Sequence, residues 1–305
     1  AEGCRGARPM QVTLWMPGGG DPLGKGGKAL FADVLCQEGG DGLFRLYSTS
    51  AAPSLPLPPA SLEGYVLRAG EGSISAISRG AAGLYYALVT LTQLCEGGEF
   101  PALEIEDYPI FAMRSDYLDL RNIYPKFDNL MAFIEEMSQY KLNTLVVEWE
   151  DKIPFDAMRK LRHKTQAFTE AQLARLQQVC RDHFIELIPL QQAFGHLEYA
   201  LKMPEYIQLR ELPTTPGEMC PLRGGSFELA AGLISDTAAL HPESRYLHLG
   251  CDEVWSLGQS EACTASGKTR EQISHDFLNR LLADTCRLGQ IPHILPYSVP
   301  YTHSL

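Results

Sequence analysis

The chain has 305 residues, of which 45% are hydrophobic and 21% are charged, a composition typical of a globular protein rather than a disordered one. Its 26 basic and 37 acidic residues give a formal net charge of −11 at pH 7. An acidic chain without basic-aromatic alternation is a poor partner for nucleic acid or anionic membrane surfaces, so both classes of function are disfavoured.

The eight cysteines are scattered through the chain. They form no C-x-x-C pair and lack the Cys/His spacing of a zinc site, so we expect mostly free thiols. No apolar segment reaches the roughly 18–20 residues of a membrane span, and the N-terminal sequence has no apolar signal core. These features favour a reducing, cytoplasmic setting, although the chain lacks an initiator Met and an upstream segment could be missing.

The first hundred residues contain short strand-like runs separated by Gly and Pro clusters. One helix is predicted at 79–94, where Leu84, Leu88, Leu91 and Leu94 recur at intervals of three and four residues. This spacing gives the helix one apolar face that should pack on a sheet. We therefore predict a small α+β domain over residues 1–107, ending before Pro109.

From residue 108 onward, strand-like and helix-like patterns alternate. Such alternation predicts parallel β/α units, and repeated units favour a (β/α)8 TIM-type barrel over 108–305. The predicted strands lie at 114–120, 143–150, 185–193, 245–253 and 291–298. A complete barrel has eight strands, so the sequence predicts an incomplete catalytic barrel.

Polar residues follow the predicted strands, at the end of a barrel that carries the active site. They are Asp119, Arg121, Glu148, Glu150, Asp151, Gln191, His196, Asp252 and Glu253.

Asp252 and Glu253 are adjacent carboxylates after an apolar run. Neighbouring residues of a strand point to opposite faces, so both can face one ligand only if the strand has ended and the backbone turns. A solvated acidic loop, or an Asp that caps the next helix, is the ordinary alternative for an isolated pair.

The stretch "HLGCDEVW" (248–255) resembles the H-x-G-G-D-E motif of family 20 glycoside hydrolases, the β-N-acetylhexosaminidases. Cys251 stands where this motif has its second Gly, and in this respect the chain resembles the hexosaminidase D branch of the family. Other stretches resemble the family in its own order, and the resemblance runs from about Ser73 to Gln290. They lie at 73–94, 107–121, 141–155 and 187–211.

The resemblance implies that the substrate's 2-acetamido group attacks the anomeric carbon, giving an oxazolinium intermediate and retention of configuration. Glu253 is then the general acid and later the base, and Asp252 accepts the acetamido N–H. A general acid must be protonated at the working pH, so we expect burial or like charge to raise the pKa of Glu253. No metal or organic cofactor is implied.

The resemblance also assigns His196 and Asp151 as residues hydrogen-bonded in series behind the acid, although an isolated His after a strand is more often structural. Arg121 resembles the arginine that binds the sugar's outer hydroxyls. Only Leu120 separates it from Asp119, where the family commonly has two residues, so a surface arginine is equally possible. Glu150 and Trp255 are further candidates for substrate binding, and Trp149 and Trp255 fit either a sugar-facing wall or the core.

The implied substrates are terminal β-linked N-acetylgalactosamine or N-acetylglucosamine residues of glycans and glycoconjugates, with the galacto sugar favoured by the branch. After Gln290 the chain lacks the later strands that supply the family's aromatic pocket, so a catalytically inactive, truncated fold that binds sugar weakly is the alternative. A phosphate-binding loop at 19–26 is a minor alternative, because Gly26 stands where Ser or Thr must hold Mg²⁺.

Overall fold

The computed structural model describes residues 11–15, 59–70, 73–94 and 101–295. One of the strand-like runs of the first hundred residues, at 42–48, and the glycine-rich stretch at 19–26 lie outside these residues. The chain divides into two compact units. One contains the N-terminal part through Arg114 together with 131–143 and 178–185, and the other contains the remaining residues.

The first unit contains a four-stranded sheet in the order β1-β3-β2-β4. Strand β1 pairs in parallel with β3, whereas β2 pairs antiparallel with both β3 and β4. The strands are β1 (Gln11–Trp15), β2 (Tyr65–Gly70), β3 (Ser73–Ser78) and β4 (Leu103–Asp107).

The hydrophobic core of this unit is formed by the sheet together with helix α1 (Ala81–Leu94). Leu84, Leu88 and Leu91 are buried, as their spacing predicts, and they belong to one cluster with apolar residues of β2 and β3. The buried Tyr85 places its hydroxyl 2.8 Å from Ser138 Oγ. The predicted N-terminal α+β arrangement is thus confirmed for the described residues.

The second unit contains a five-stranded parallel sheet in the order β5-β6-β7-β8-β9. The strands are β5 (Ser115–Asp119), β6 (Thr144–Glu148), β7 (Glu186–Leu190), β8 (Tyr246–His248) and β9 (Ile291–His293). All five strands predicted beyond residue 108 therefore form, and they form one sheet in chain order, as successive β/α units require.

Helices connect these strands. They are α2 (Phe127–Gln139), α3 (Glu170–Asp182), α4 (Glu198–Leu201), α5 (Ser226–Leu240), α6 (Glu261–Ala265) and α7 (Arg270–Arg287). Among the described residues, no helix combines the length and apolar character needed to cross a membrane.

Strand β8 is much shorter than the run predicted at 245–253. It ends at His248 because Gly250 and Cys251 have φ values of 62° and 71°, outside the range of a strand. Both acids of the 252–253 pair consequently lie in the turn beyond the strand.

Candidate active site

The carboxyl ends of parallel strands lie at one edge of a sheet, and the predicted site residues follow those ends. Several residues there have a left-handed backbone, a conformation that costs free energy in residues other than Gly. They are Glu150 (φ 46°), His196 (φ 53°), Cys251 (φ 71°) and Glu253 (φ 53°). Sparsely populated conformations of this kind concentrate at functional sites, so this edge is the candidate site.

The turn after β8 is packed closely against Gln192. A Cβ atom on Gly250 would lie 1.9 Å from Gln192 Oε1, and the φ of 62° at Gly250 also favours glycine. The backbone N–H of Cys251 donates to the same Oε1 at 3.1 Å. The turn that carries Asp252 and Glu253 is therefore held in place by the segment after β7.

Gly195 allows a second close approach in this region. A Cβ atom there would lie 2.2 Å from the carbonyl oxygen of Asp252. This contact brings the next residue, His196, to the acid pair. Its Nε2 atom lies 3.5 Å from Asp252 Oδ2 and 3.3 Å from Glu253 Oε2.

His196 and Asp252 shift each other's pKa through the hydrogen bond between them. The hydrogen bond to Asp252 raises the pKa of His196 above its usual value, although burial opposes this. Burial alone would raise the pKa of Asp252, but hydrogen bonds from His196 and Gln192 outweigh it and lower that pKa. Asp252 is therefore a stable carboxylate, positioned to accept a hydrogen bond from a ligand.

Gln192 is a site residue that the sequence reasoning missed. It is almost completely buried, and its Nε2 donates to Glu148 Oε1 at 3.1 Å and to Asp252 Oδ1 at 3.2 Å. One amide therefore connects the ends of β6 and β8 through the end of β7. Its position directly after an apolar strand, beside Gln191, was the available signal.

Arg121 lies at the same edge. Its Nη2 donates to Asp119 Oδ2 at 3.1 Å, and its Nη1 lies 4.0 Å from Glu148 Oε1. Its Nε is buried and has no hydrogen-bond partner in the described structure. Arg121 is thus partly buried against two carboxylates. It does not extend into solvent, as a surface arginine would.

Asp151 and Glu150 follow β6 in a 3₁₀ turn at Glu150–Lys152. The carboxylate of Asp151 is paired with Lys152 Nζ at 2.5 Å, and among the described residues it forms no hydrogen bond with His196. The expected hydrogen bonding in series of His196 and Asp151 is not formed in this structure. Both side chains are buried, so the ammonium group of Lys152 balances the charge of Asp151 where water cannot.

Glu150 is buried, and its Oε1 has no hydrogen-bond partner in the described part of the chain. Burial, together with the negative charge of Glu148, raises the pKa of Glu150 to about 8. Glu150 is therefore mostly an uncharged carboxylic acid at neutral pH, able to donate a hydrogen bond.

The two tryptophans have different environments. Trp149 is fully buried, with its ring 5.5 Å from that of Phe168 and 5.6 Å from that of His241, so it belongs to the core. Trp255 is 56% exposed and follows the acid pair by two residues. Of the two, Trp255 alone is available to contact a sugar face.

Glu253 is also open to solvent, with 54% of its side chain exposed. The burial expected around a general acid is therefore not found at this residue. His196, Asp252 and Glu253 together offer three ligand atoms within 4.8 Å of one another, which could also hold a cation. The arrangement as it stands provides one anchored carboxylate and one accessible acid on a single turn, a combination suited to acid and base catalysis.

The parallel sheet with an acid pair beyond the carboxyl end of β8 defines a β/α protein with its candidate site where such folds carry theirs, and comparison with known families identifies the family. Residues 31–108 match the family model described as Glycosyl hydrolase family 20, domain 2, and residues 111–285 match Glycosyl hydrolase family 20, catalytic domain. The second match alone covers more than half of the chain, which therefore belongs to glycosyl hydrolase family 20.

Individual relatives agree with this assignment. The chain is 33% identical to human Hexosaminidase D over 152 residues, covering 50% of this chain but only 31% of that protein. Its fold is similar to the β-N-acetylhexosaminidase of Bacteroides fragilis (TM-score 0.74, 19% identity, 96% of this chain and 63% of that one). It is also similar to a Vibrio harveyi exo β-N-acetylglucosaminidase solved with N-acetylglucosamine (TM-score 0.73, 18% identity, 96% and 52%). The chain thus spans well under half the length of the human relative.

Proposed function

We propose that this protein is a retaining exo-β-N-acetylhexosaminidase that removes terminal β-linked N-acetylgalactosamine or N-acetylglucosamine by substrate-assisted catalysis. The observation that carries the proposal is the acid pair beyond β8, where His196 lies within 3.5 Å of both Asp252 and Glu253. Membership of family 20 supports the reaction class.

In the first step, the acetamido oxygen of the substrate forms a bond to the anomeric carbon as the glycosidic C–O bond breaks. Glu253 donates its proton to the leaving oxygen, and its exposure gives the aglycone access to that proton. Asp252 accepts the acetamido N–H and balances the positive charge of the oxazolinium ring. Its lowered pKa keeps it ionised for this purpose.

In the second step, Glu253 removes a proton from water, whose oxygen attacks the anomeric carbon. The bond from that carbon to the acetamido oxygen breaks, and the acetamide is restored. Glu253 thereby regains its proton. The configuration at the anomeric carbon is retained, because each of the two attacks inverts it. Arg121 contributes donors for the outer hydroxyls of the sugar, and Trp255 contributes an apolar surface.

The experiment compares release of an aryl leaving group from the β-N-acetylgalactosaminide, the β-N-acetylglucosaminide and the plain β-galactoside. We expect turnover of the two acetamido sugars alone, with the galacto sugar faster. Glu253→Gln should lower kcat by roughly 10²–10⁴-fold. Asp252→Asn should lower kcat for the acetamido sugars, because the amide no longer balances the developing charge.

Glu228→Gln, an exposed change on α5, is the matched control and should leave the rates unchanged. Equal turnover of the plain galactoside, or an active Glu253→Gln variant, would contradict substrate-assisted catalysis at this pair. A folded chain that turns over none of the three substrates would instead be a non-catalytic member of the family.

A further inference from the structure

A second cluster of reactive side chains lies in the same unit as the candidate site but shares no residue with it. It consists of Glu211, Cys220, Ser260 and Cys263, and we name it the thiol-carboxylate cluster. All four residues are buried. Nothing in the proposed reaction requires them.

The carboxylate of Glu211 is completely buried and forms no ion pair with a basic side chain among the described residues. Its Oε1 accepts hydrogen bonds from the backbone N–H groups of Gly258 at 2.9 Å and Ser260 at 2.8 Å. Its Oε2 faces Cys263 Sγ at 3.5 Å. A buried carboxylate ordinarily has a cationic partner or binds a metal ion, and the free side of Glu211 faces two sulfur atoms.

Three separations between the donor atoms lie within about 0.3 Å of the edges of a tetrahedron around a zinc ion. Zn–S bonds of about 2.3 Å and Zn–O bonds of about 2.0 Å give S···S edges of roughly 3.8 Å and S···O edges of roughly 3.5 Å. The corresponding distances here are 3.5 Å between the two Sγ atoms, 3.5 Å from Cys263 Sγ to Glu211 Oε2 and 3.3 Å from Cys220 Sγ to Ser260 Oγ.

We propose that Glu211, Cys220 and Cys263 form a buried site for a thiophilic divalent cation such as Zn²⁺. Ser260 Oγ, which also accepts from the backbone N–H of Cys263, lies 3.3 Å from Cys220 Sγ and is the nearest further oxygen donor. Two thiolates and a carboxylate are the soft and anionic donors that such an ion prefers. Hydrogen bonds between neutral thiols would produce similar distances, and the experiment distinguishes the two cases.

Deprotonation of the thiols is the step that a cation must drive. A cation coordinates the thiolate form of cysteine, so both Sγ atoms must lose their protons when it binds. Binding of the cation replaces these protons, so affinity should rise with pH and protons should be released to the buffer.

The site would connect three parts of the second unit. Glu211 and Cys220 each directly follow one residue of the bridge between Arg210 and Met219, and Cys263 lies on α6. Through Gly258 and Ser260, Glu211 also holds the segment that follows Glu253 and contains Trp255. A bound ion would therefore stabilise the turn beyond the candidate active site without touching the substrate.

The test titrates the full chain, reduced and freed of metal with a chelator, with Co²⁺ and then with Zn²⁺. We expect one equivalent of Co²⁺ to give a thiolate-to-cobalt charge-transfer band that one equivalent of Zn²⁺ removes. Cys220→Ser and Cys263→Ser should abolish the band. Glu211→Gln, which keeps the acceptor for the two N–H groups, should weaken binding by at least about tenfold.

Cys180→Ser is the matched control, because Cys180 is an equally buried thiol outside the cluster. A cation held by His196, Asp252 and Glu253 would give no thiolate band, so the two sites are distinguished spectroscopically. The unmodified chain provides a measurement that needs no variant, since Zn²⁺ should raise its Tm. Absence of both the band and the Tm shift, or a mass 2 Da lower from a Cys220–Cys263 disulfide, would overturn the proposal.

Discussion

Asp252 and Glu253 are neighbours in the chain, yet their surroundings differ in the way that their proposed roles require. Asp252 is 20% exposed and hydrogen-bonded to His196 and Gln192, whereas Glu253 is 54% exposed. Cys251 and Glu253 have a left-handed backbone, so the two acids lie on a turn rather than along a strand. The roles of these residues stay predictions until the variants above are measured.

Glu150 provides a pH-dependent prediction at the scale of a single residue. Its pKa of about 8 in the folded protein lies above the ordinary value for a glutamate, so the folded state binds the proton more tightly than the unfolded state. The free energy of unfolding should consequently be highest below the ordinary glutamate pKa of 4.5, and it should fall as the pH rises from there to about 8. Between these two values the loss should approach roughly 1.4 kcal/mol per pH unit.

Replacing Glu150 with Gln removes the titrating group while keeping its shape. We expect the difference in unfolding free energy between Glu150→Gln and the unmodified chain to grow in favour of the variant between pH 5 and 8, measured by urea denaturation. The exposed Glu228→Gln serves as the control and should follow the unmodified chain. A constant difference across this range would show that Glu150 ionises normally in the folded state.

At the scale of an element, α7 is stabilised by its own sequence as well as by packing. Thr269 Oγ1 accepts from the backbone N–H of Gln272 at 3.2 Å, and the Gln272 side chain accepts from the N–H of Thr269 at 2.9 Å. This reciprocal capping box satisfies two N–H groups that the first turn would otherwise leave unpaired. The helix also buries Ile273, Phe277 and Leu281 on one face.

We therefore expect Thr269→Ala to lower the free energy of unfolding by about 1 kcal/mol. Thr269→Ser retains the capping oxygen and should cost much less. Chemical denaturation of the two variants side by side measures the difference. Equal destabilisation by both substitutions would mean that the threonine methyl group, rather than the hydroxyl, supplies the stabilisation.

At the scale of the whole molecule, the five-stranded parallel sheet has open edges at β5 and β9 in the described residues. Parallel strands are ordinarily covered and paired on both sides, and an unpaired edge attracts other chains. Ile291 in β9 is 54% exposed beside this edge. A net charge of −11 opposes association but acts weakly at physiological salt.

A chain of these 305 residues should accordingly elute from gel filtration as a self-associated species whose apparent size decreases on dilution. Ile291→Lys, which places a charge at the β9 edge, should shift the protein toward the monomer. A matched Leu222→Lys change, at an exposed apolar position outside the strands, should not. A monomeric peak at every concentration would show that the edges are protected.

Much of the fold could be predicted from local patterns. The leucine spacing of α1 and the alternation of apolar strands with helices depend on periodicity alone, and the structure confirms both. The order of family motifs around "HLGCDEVW" likewise required only the sequence, and the family matches confirm it. The length of β8 was predicted wrongly, because apolar residues continue beyond the point where Gly250 and Cys251 turn the backbone.

The sequence by itself determined the family, the α/β class and the position of the acid pair, since each is carried by short motifs or periodic patterns that can be recognised along the chain. Tertiary structure alone decided that Gln192 joins Glu148 to Asp252. It also assembled Glu211, Cys220 and Cys263, whose spacing gives no metal-binding signal. Contacts between distant residues depend on how strands and helices pack, and that packing is a property of the whole chain rather than of any local pattern.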